Sequence, residues 1–246
     1  WFGFRPHDGE GKLMGLAAYG SFDKDIALKV DRVCQLTGDD QVYKLNASFF
    51  FDKNIEGSNF CKQWIDLFGE AMPYEKEIKY SDYHKNLAFA VQKKLEDVGV
   101  ALTEYVLDKT GKSNLCVAGG SFMNCKMNGV IAQKIGFNNF FVQPLSGDNG
   151  ISMGAALAVC RNSYNKKMDN LYYGPEYDDE EIKNVLDRLN VIYYFCDDIE
   201  KEVAQFLSQS KVVGWFQGRM EGGARALGNR SILGNPIDPN VRELIN

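Results

Sequence analysis

Leu115-Cys116-Val117-Ala118-Gly119-Gly120-Ser121-Phe122-Met123-Asn124 is the stretch on which the fold turns. A short apolar run breaks at two glycines. Ser121 follows as an N-cap for a helix carrying Met123, Met127 and Ile131 at helical spacing. Phe140-Phe141-Val142 reads as a second strand, ended by Pro144 and the turn Ser146-Gly147-Asp148-Asn149-Gly150. From Ile151 to Arg161, Gly154-Ala155-Ala156-Leu157-Ala158 gives a small-residue helix suited to close packing. Strand, helix, strand and helix with short connections predict a parallel α/β unit. Its ligand loops belong at the strand C-termini, where both glycine turns fall.

Upstream, Leu87, Val91, Leu95, Val98, Leu102 and Val106 recur at spacings of three and four, which predicts a long amphipathic helix from Ser81 to about Asp108. Ser81 or Asp82 would cap its start, and Gly111 lies just past its end. The first seventy-odd residues are aromatic and loop-rich, with short strands expected at Val42–Leu45 and Ser48–Phe51. Downstream, the polar stretch Asn165–Asp179 reads as a domain boundary. Beyond it, helices are expected at Glu180–Leu189 and Glu200–Ser210, and strands at Val191–Phe195 and Val212–Phe216. A second α/β unit therefore begins near residue 172, and the segment after Gly218 is too short to finish it.

The composition is that of a globular protein. The 246 residues include 28 Lys plus Arg against 33 Asp plus Glu, a net charge of −5, with 45% hydrophobic residues. No stretch approaches the roughly 18 continuous apolar residues of a membrane span. The acidic balance argues against a surface that coats nucleic acid, though not against a few arginines gathered on one anion. Six cysteines without a CxxC pair fit reduced thiols and a cytoplasmic setting. The start at Trp1 and the stop at Asn246 suggest a fragment of a longer protein.

Four clusters could carry chemistry. Gly9–Gly20 (GEGKLMGLAAYG) pairs backbone-exposing glycines with Lys12, although a loop followed by a small-residue helix is the simpler reading. Ala118–Asn124 places a Gly-Gly turn at a helix N-terminus, where N–H groups suit phosphate; it is neither a P-loop nor a dinucleotide fingerprint. Asn124 could hydrogen-bond a ribose or base, and a tight strand-to-helix turn explains the cluster equally well. Asp148 heads the next helix, as a plain N-cap or as a carboxylate facing the same crevice as the Gly119 turn. Gly218–Ser231 alternates Arg219, Arg225 and Arg230 with glycines, a composition that surrounds an anion with guanidinium and backbone donors. His7 and His84 are isolated, with no metal-ligand spacing and no Ser-His-Asp partners.

Together Gly9–Gly20, VAGGSFMN (Val117–Asn124), VQPLSGDNG (Val142–Gly150) and GWFQGRMEGGARALGNRSIL (Gly214–Leu233) resemble the NodU/CmcH carbamoyltransferases. The resemblance implies an α/β fold: an actin-like ATPase lobe over residues 1–168, then the start of a YrdC-like domain over 169–246. It implies an O-carbamoyltransferase that uses carbamoyl phosphate and ATP, through a carbamoyl-adenylate, to modify a hydroxyl of a sugar, antibiotic or other small molecule. Gly119, Gly120, Asn124 and Gly147 would bind nucleotide, with Lys12 a neighbour. Asp148 would ligate a divalent metal, Fe2+ first and Mg2+ second. Arg225, Asn229, Arg230 and Ser231 would form the carbamoyl-phosphate pocket. No nucleic-acid or membrane partner is implied, and a homodimer is compatible. This chain lacks the family's His-x-x-x-His metal pair and has Gly222-Gly223-Ala224 where an aromatic-Gly-Pro is usual. The isolated fragment is therefore expected to be inactive. The competing readings are a tRNA threonylcarbamoyl transferase and a non-catalytic nucleotide-binding module.

Overall fold

The computed structural model describes residues 1–4, 9–50, 62–73, 79–135, 139–160, 168, 170–223 and 225–245. It divides into two units, Trp1–Gly147 and Asp148–Asn246. The architecture is mixed α/β, with many helices and, among the described residues, three two-stranded sheets. His7, Phe51 and Cys61 lie outside the described residues.

In the first unit, α1 (Glu10–Ala17), α2 (Lys24–Val33) and the antiparallel pair β1 (Cys34–Leu36) and β2 (Tyr43–Leu45) precede α3 (Lys62–Phe68) and the 29-residue α4 (Asp82–Thr110). The expected strand at Ser48–Phe51 is instead a 3-10 turn, Ala47–Phe49, because the Asn46 side chain accepts the Ser48 N–H and starts a turn. Helix α2 escaped the sequence reading, although Asp23 caps it through the N–H groups of Asp25 and Ile26. Its inner face, Ile26, Val30 and Val33, joins Phe49, Leu67, Phe68, Leu87 and Ala90 in the main core.

Helix α4 runs the expected length and ends on Gly111 in the left-handed region (φ +60°). Its buried face keeps Leu87 of the apolar stripe and then turns away from the rest of it. Ala88, Gln92, Glu96, Gly99 and Thr103 are buried at spacings of four, four, three and four, while Leu102 and Val106 are exposed. Polar residues hold buried positions because they are partnered, as when Thr103 Oγ1 donates to the Gly99 carbonyl at 2.6 Å. At the end of α1, a Cβ on Gly20 would lie 2.1 Å from the Lys85 carbonyl oxygen of α4. That glycine serves helix packing.

After α4 comes the expected parallel pair. β3 (Asn114–Val117) and β4 (Asn139–Val142) are in register from Asn114↔Asn139 to Val117↔Val142, joined through α5 (Cys125–Ile135). Met127 and Ile131 of α5 are buried as expected, whereas Met123 is exposed.

The second unit contains α6 (Ile151–Val159), α7 (Asp179–Arg188), α8 (Ile199–Ser208), the antiparallel hairpin β5 (Val213–Phe216) and β6 (Arg230–Leu233), and α9 (Val241–Ile245). Asp178 builds a capping box with Glu181 on α7, and Asp198 caps α8. Val191–Phe195, expected as a strand, forms none: it has no ladder partner among the described residues, and Ile192 and Phe195 are exposed. The Tyr193 hydroxyl donates to Asp187 at 2.9 Å and the Tyr194 hydroxyl to Glu202, tying the segment to α7 and α8.

Candidate functional site

The C-terminal ends of β3 and β4 meet. Gly119 N–H donates to the Ser146 carbonyl oxygen at 2.9 Å and Gln143 N–H to the Val117 carbonyl oxygen at 3.0 Å. Ser146 is buried, and its hydroxyl donates to the Gln143 carbonyl. The turns expected to hold a ligand are therefore joined by backbone, and Gly147 follows Ser146 directly.

Gly119 adopts φ +105° and ψ 157°, a conformation essentially confined to glycine. It opens a 3-10 turn, Gly120–Met123, so that the helix proper begins only at Cys125. The expected capping role of Ser121 passes to Asn124, whose Oδ1 accepts the Met127 N–H at 2.9 Å. Asn124 also forms a reciprocal amide pair with Gln92 of α4, at 3.1 and 2.8 Å, and Gln92 in turn donates to Glu96 at 3.0 Å. The N–H groups of Gly120 and Ser121 donate no hydrogen bond among the described residues, and a Cβ at Gly119 or Gly120 would meet only open space. These are the features of a phosphate cradle: exposed donors, no obstructing side chain and a helix start behind them. Lys12 is exposed on α1, whose Met14 Sδ is 3.9 Å from Cys125 Sγ at the start of α5.

Asp148 opens the second unit in a 3-10 turn, Asp148–Gly150. It does not cap α6, which starts at Ile151 behind Gly150 with no side-chain cap. Among the described residues no three His, Cys, Asp or Glu side chains gather where they could hold a metal ion. Asp148 thus supplies a single carboxylate, and the described residues do not by themselves make a metal cage.

The arginine-glycine motif is a hairpin loop organised by one carboxylate that the sequence reading overlooked. Glu221 accepts the N–H groups of Leu227 at 2.7 Å, Asn229 at 3.1 Å and Arg230 at 3.3 Å. The Leu227 N–H, followed by those of Arg230 and Asn229 and by the Arg230 charge, holds the Glu221 carboxyl below the usual glutamate range against a smaller desolvation effect. Arg230 stacks on Phe216, with Cζ 3.6 Å from the ring centre. Its Nη1 donates to Gln217 and Asn229 carbonyls at 2.7 and 2.8 Å, and Nη2 to that of Gly218 at 3.2 Å. Asn229 Nδ2 donates to the Arg219 carbonyl at 2.7 Å. Ser231 sits on β6 opposite Trp215. Arg225 is exposed, with no hydrogen bond or ion pair among the described residues. Ala224, beside it, lies outside the described residues. The sequence signal available for Glu221 was a lone carboxylate inside the Gly- and Arg-rich stretch Gly218–Ser231.

His84 joins the aromatic cluster of Trp1, Tyr80 and Tyr83 and shares a 2.6 Å hydrogen bond with Ser81. Burial lowers its pKa. No described helix is long and apolar enough to cross a membrane.

Sequence comparison places the chain. A family described as Carbamoyltransferase N-terminus matches residues 1–157, and one described as Carbamoyltransferase C-terminus matches residues 204–246. An uncharacterized protein of Synechocystis is 36% identical, over 99% of this chain and 41% of its own length. Nodulation protein NolO of Bradyrhizobium diazoefficiens is 30% identical, over 96% of this chain and 42% of its own. Nodulation protein U of Sinorhizobium fredii is 27% identical, over 96% and 41%. The chain thus spans about two fifths of the length of these relatives. With both turns of the parallel pair and the ordered arginine hairpin on the four stretches that carry the resemblance, the chain belongs to the carbamoyltransferase family.

Proposed function

We propose that the protein carrying this chain is an O-carbamoyltransferase. Water cleaves carbamoyl phosphate to carbamate and phosphate, the carbamate oxygen attacks the α-phosphorus of ATP to give a carbamoyl-adenylate as pyrophosphate leaves, and a hydroxyl of a small acceptor then takes the carbamoyl group and gives up its proton as AMP leaves. The junction of Gly119 and Ser146 carries the reading, because it presents open N–H donors at the ends of two parallel strands in a chain of this family. In this reading Gly119, Gly120, Asn124 and Gly147 take the nucleotide, with Lys12 nearby. Arg225 takes the phosphate of carbamoyl phosphate, and Arg230, Asn229 and Ser231 shape the hairpin that presents it. A divalent metal, Fe2+ or Mg2+, would take Asp148 as one ligand and draw the others from outside the described residues.

Incubating the complete protein with ATP, carbamoyl phosphate and a panel of sugar and other small hydroxyl acceptors tests this. Carbamoyl-phosphate-dependent release of AMP and pyrophosphate, with a carbamoylated acceptor seen by mass spectrometry, is the expected result. Absence of both with every acceptor defeats the proposal.

A further inference from the structure

Beneath the Gly119 turn, α4 turns two polar residues inward where its neighbours are apolar or small. Gln92 and Glu96 are 6% and 8% exposed. Their hydrogen bonds form a chain with a definite direction. A carboxylate only accepts, so Gln92 must turn its amide nitrogen toward Glu96 Oε1, at 3.0 Å. The second Nε2 hydrogen goes to Asn124 Oδ1 at 3.1 Å, and Gln92 Oε1 receives Asn124 Nδ2 at 2.8 Å. Rotating the Asn124 amide by half a turn would set its nitrogen against both Gln92 Nε2 and the Met127 N–H, two donor–donor contacts. The Asn124 amide therefore has one orientation. In it Oδ1 is filled by two donors, and one Nδ2 hydrogen has no partner among the described residues.

We propose that Gln92, oriented by Glu96, is the positioning residue of this turn: it fixes the Asn124 amide so that one Nδ2 hydrogen is presented to a bound nucleotide. The inference rests on the nucleotide reading above and adds to it two residues on α4, outside the four motifs. It predicts a coupling that composition alone would not, since an exposed glycine turn depends on a buried carboxylate one helix away.

The test is calorimetric titration of the 246-residue chain with ATP, alongside thermal melting of each variant. Gln92→Leu and Glu96→Leu are expected to weaken ATP binding about tenfold. Glu96→Gln, which keeps an acceptor oxygen, is expected to stay within about twofold of the parent. The double variant Asn124→Ala/Gln92→Leu should bind no more weakly than Asn124→Ala. Parent-like affinity in Gln92→Leu, or additive losses in the double variant, overturns the proposal. So does a melting loss shared by Gln92→Leu and Glu96→Gln without a difference in affinity between them. If the parent chain does not bind ATP, the nucleotide reading fails, and the positioning role is then read from the Asn124 side-chain amide by NMR. A single dispersed pair of amide signals retained in Glu96→Gln and collapsed in Gln92→Leu supports it, and an unchanged pair in Gln92→Leu overturns it.

Discussion

Gly119 and Ser146 lie 27 positions apart and share one backbone hydrogen bond of 2.9 Å, from the N–H of the first to the carbonyl of the second. The bond closes the ends of β3 and β4 on each other and requires Gly119 to hold φ +105°. Gly119→Ala places a Cβ on a backbone conformation that L side chains rarely adopt, although the space around it is open. Strain of about 1–3 kcal/mol is expected, read as a lower midpoint in urea unfolding. ATP affinity should fall with it if this turn holds phosphate.

Gly20→Ala should destabilise for a different reason. The backbone there is ordinary, but the new methyl would lie 2.1 Å from the Lys85 carbonyl oxygen, which a helix cannot move aside. A loss of about 1–3 kcal/mol is expected from overpacking. ATP affinity, corrected for the folded fraction, should be unchanged, because Gly20 serves the contact between α1 and α4.

The arginines of the hairpin should separate by readout. Arg230→Ala removes three bonds to backbone carbonyls and the stack on Phe216, so melting should fall, by about 1–3 kcal/mol in stability. Arg225→Ala removes an exposed side chain without a described partner, so stability should change by less than about 0.5 kcal/mol. In the complete protein, however, KM for carbamoyl phosphate should rise at least tenfold for Arg225→Ala, consistent with loss of a charge-assisted contact to phosphate.

Acid should loosen the same hairpin. The folded state holds the Glu221 carboxyl below its ordinary range, chiefly through the Leu227 N–H. Its contribution to stability is therefore complete above the unfolded glutamate pKa and is lost as pH falls through the depressed folded value. Melting followed from about pH 7 to about pH 3 should show a steeper acid loss for the parent than for Glu221→Gln. Equal acid profiles for the two would show that Glu221 does not order the loop.

Much of the architecture could be read along the chain. The strands at Leu115 and Phe140 declared themselves as apolar runs cut by Gly119-Gly120 and Pro144, and the connection between them is long enough for a parallel crossover. Helix α4 showed itself by its periodicity and by Gly111. The readings that failed did so where a local signal met a non-local one. Val191–Phe195 has the composition of a strand, but a strand exists only where another backbone offers a ladder. Ser121 is a good capping residue, yet the 3-10 turn set by Gly119 delays the helix to Cys125 and hands the cap to Asn124.

The site divides in the same way. Glycine turns and clustered arginines are local compositions, so Gly119, Gly120, Arg225 and Arg230 were visible in the sequence as candidates, and the order of their motifs pointed to the family. The identity of their partners was not. Arg230 looked like an anion ligand and is bound to backbone carbonyls; Glu221 looked like spacing and holds the loop together. Gln92 and Glu96 sit on a helix whose apolar stripe pointed elsewhere, and only the packing of α5 against α4 turns them inward. Sequence alone determined most of the elements and the family, because periodicity, turn chemistry and motif order are properties of neighbouring residues. The tertiary structure decided which polar groups are used up within the protein and which remain for a ligand, because a hydrogen bond is assigned by distance in space.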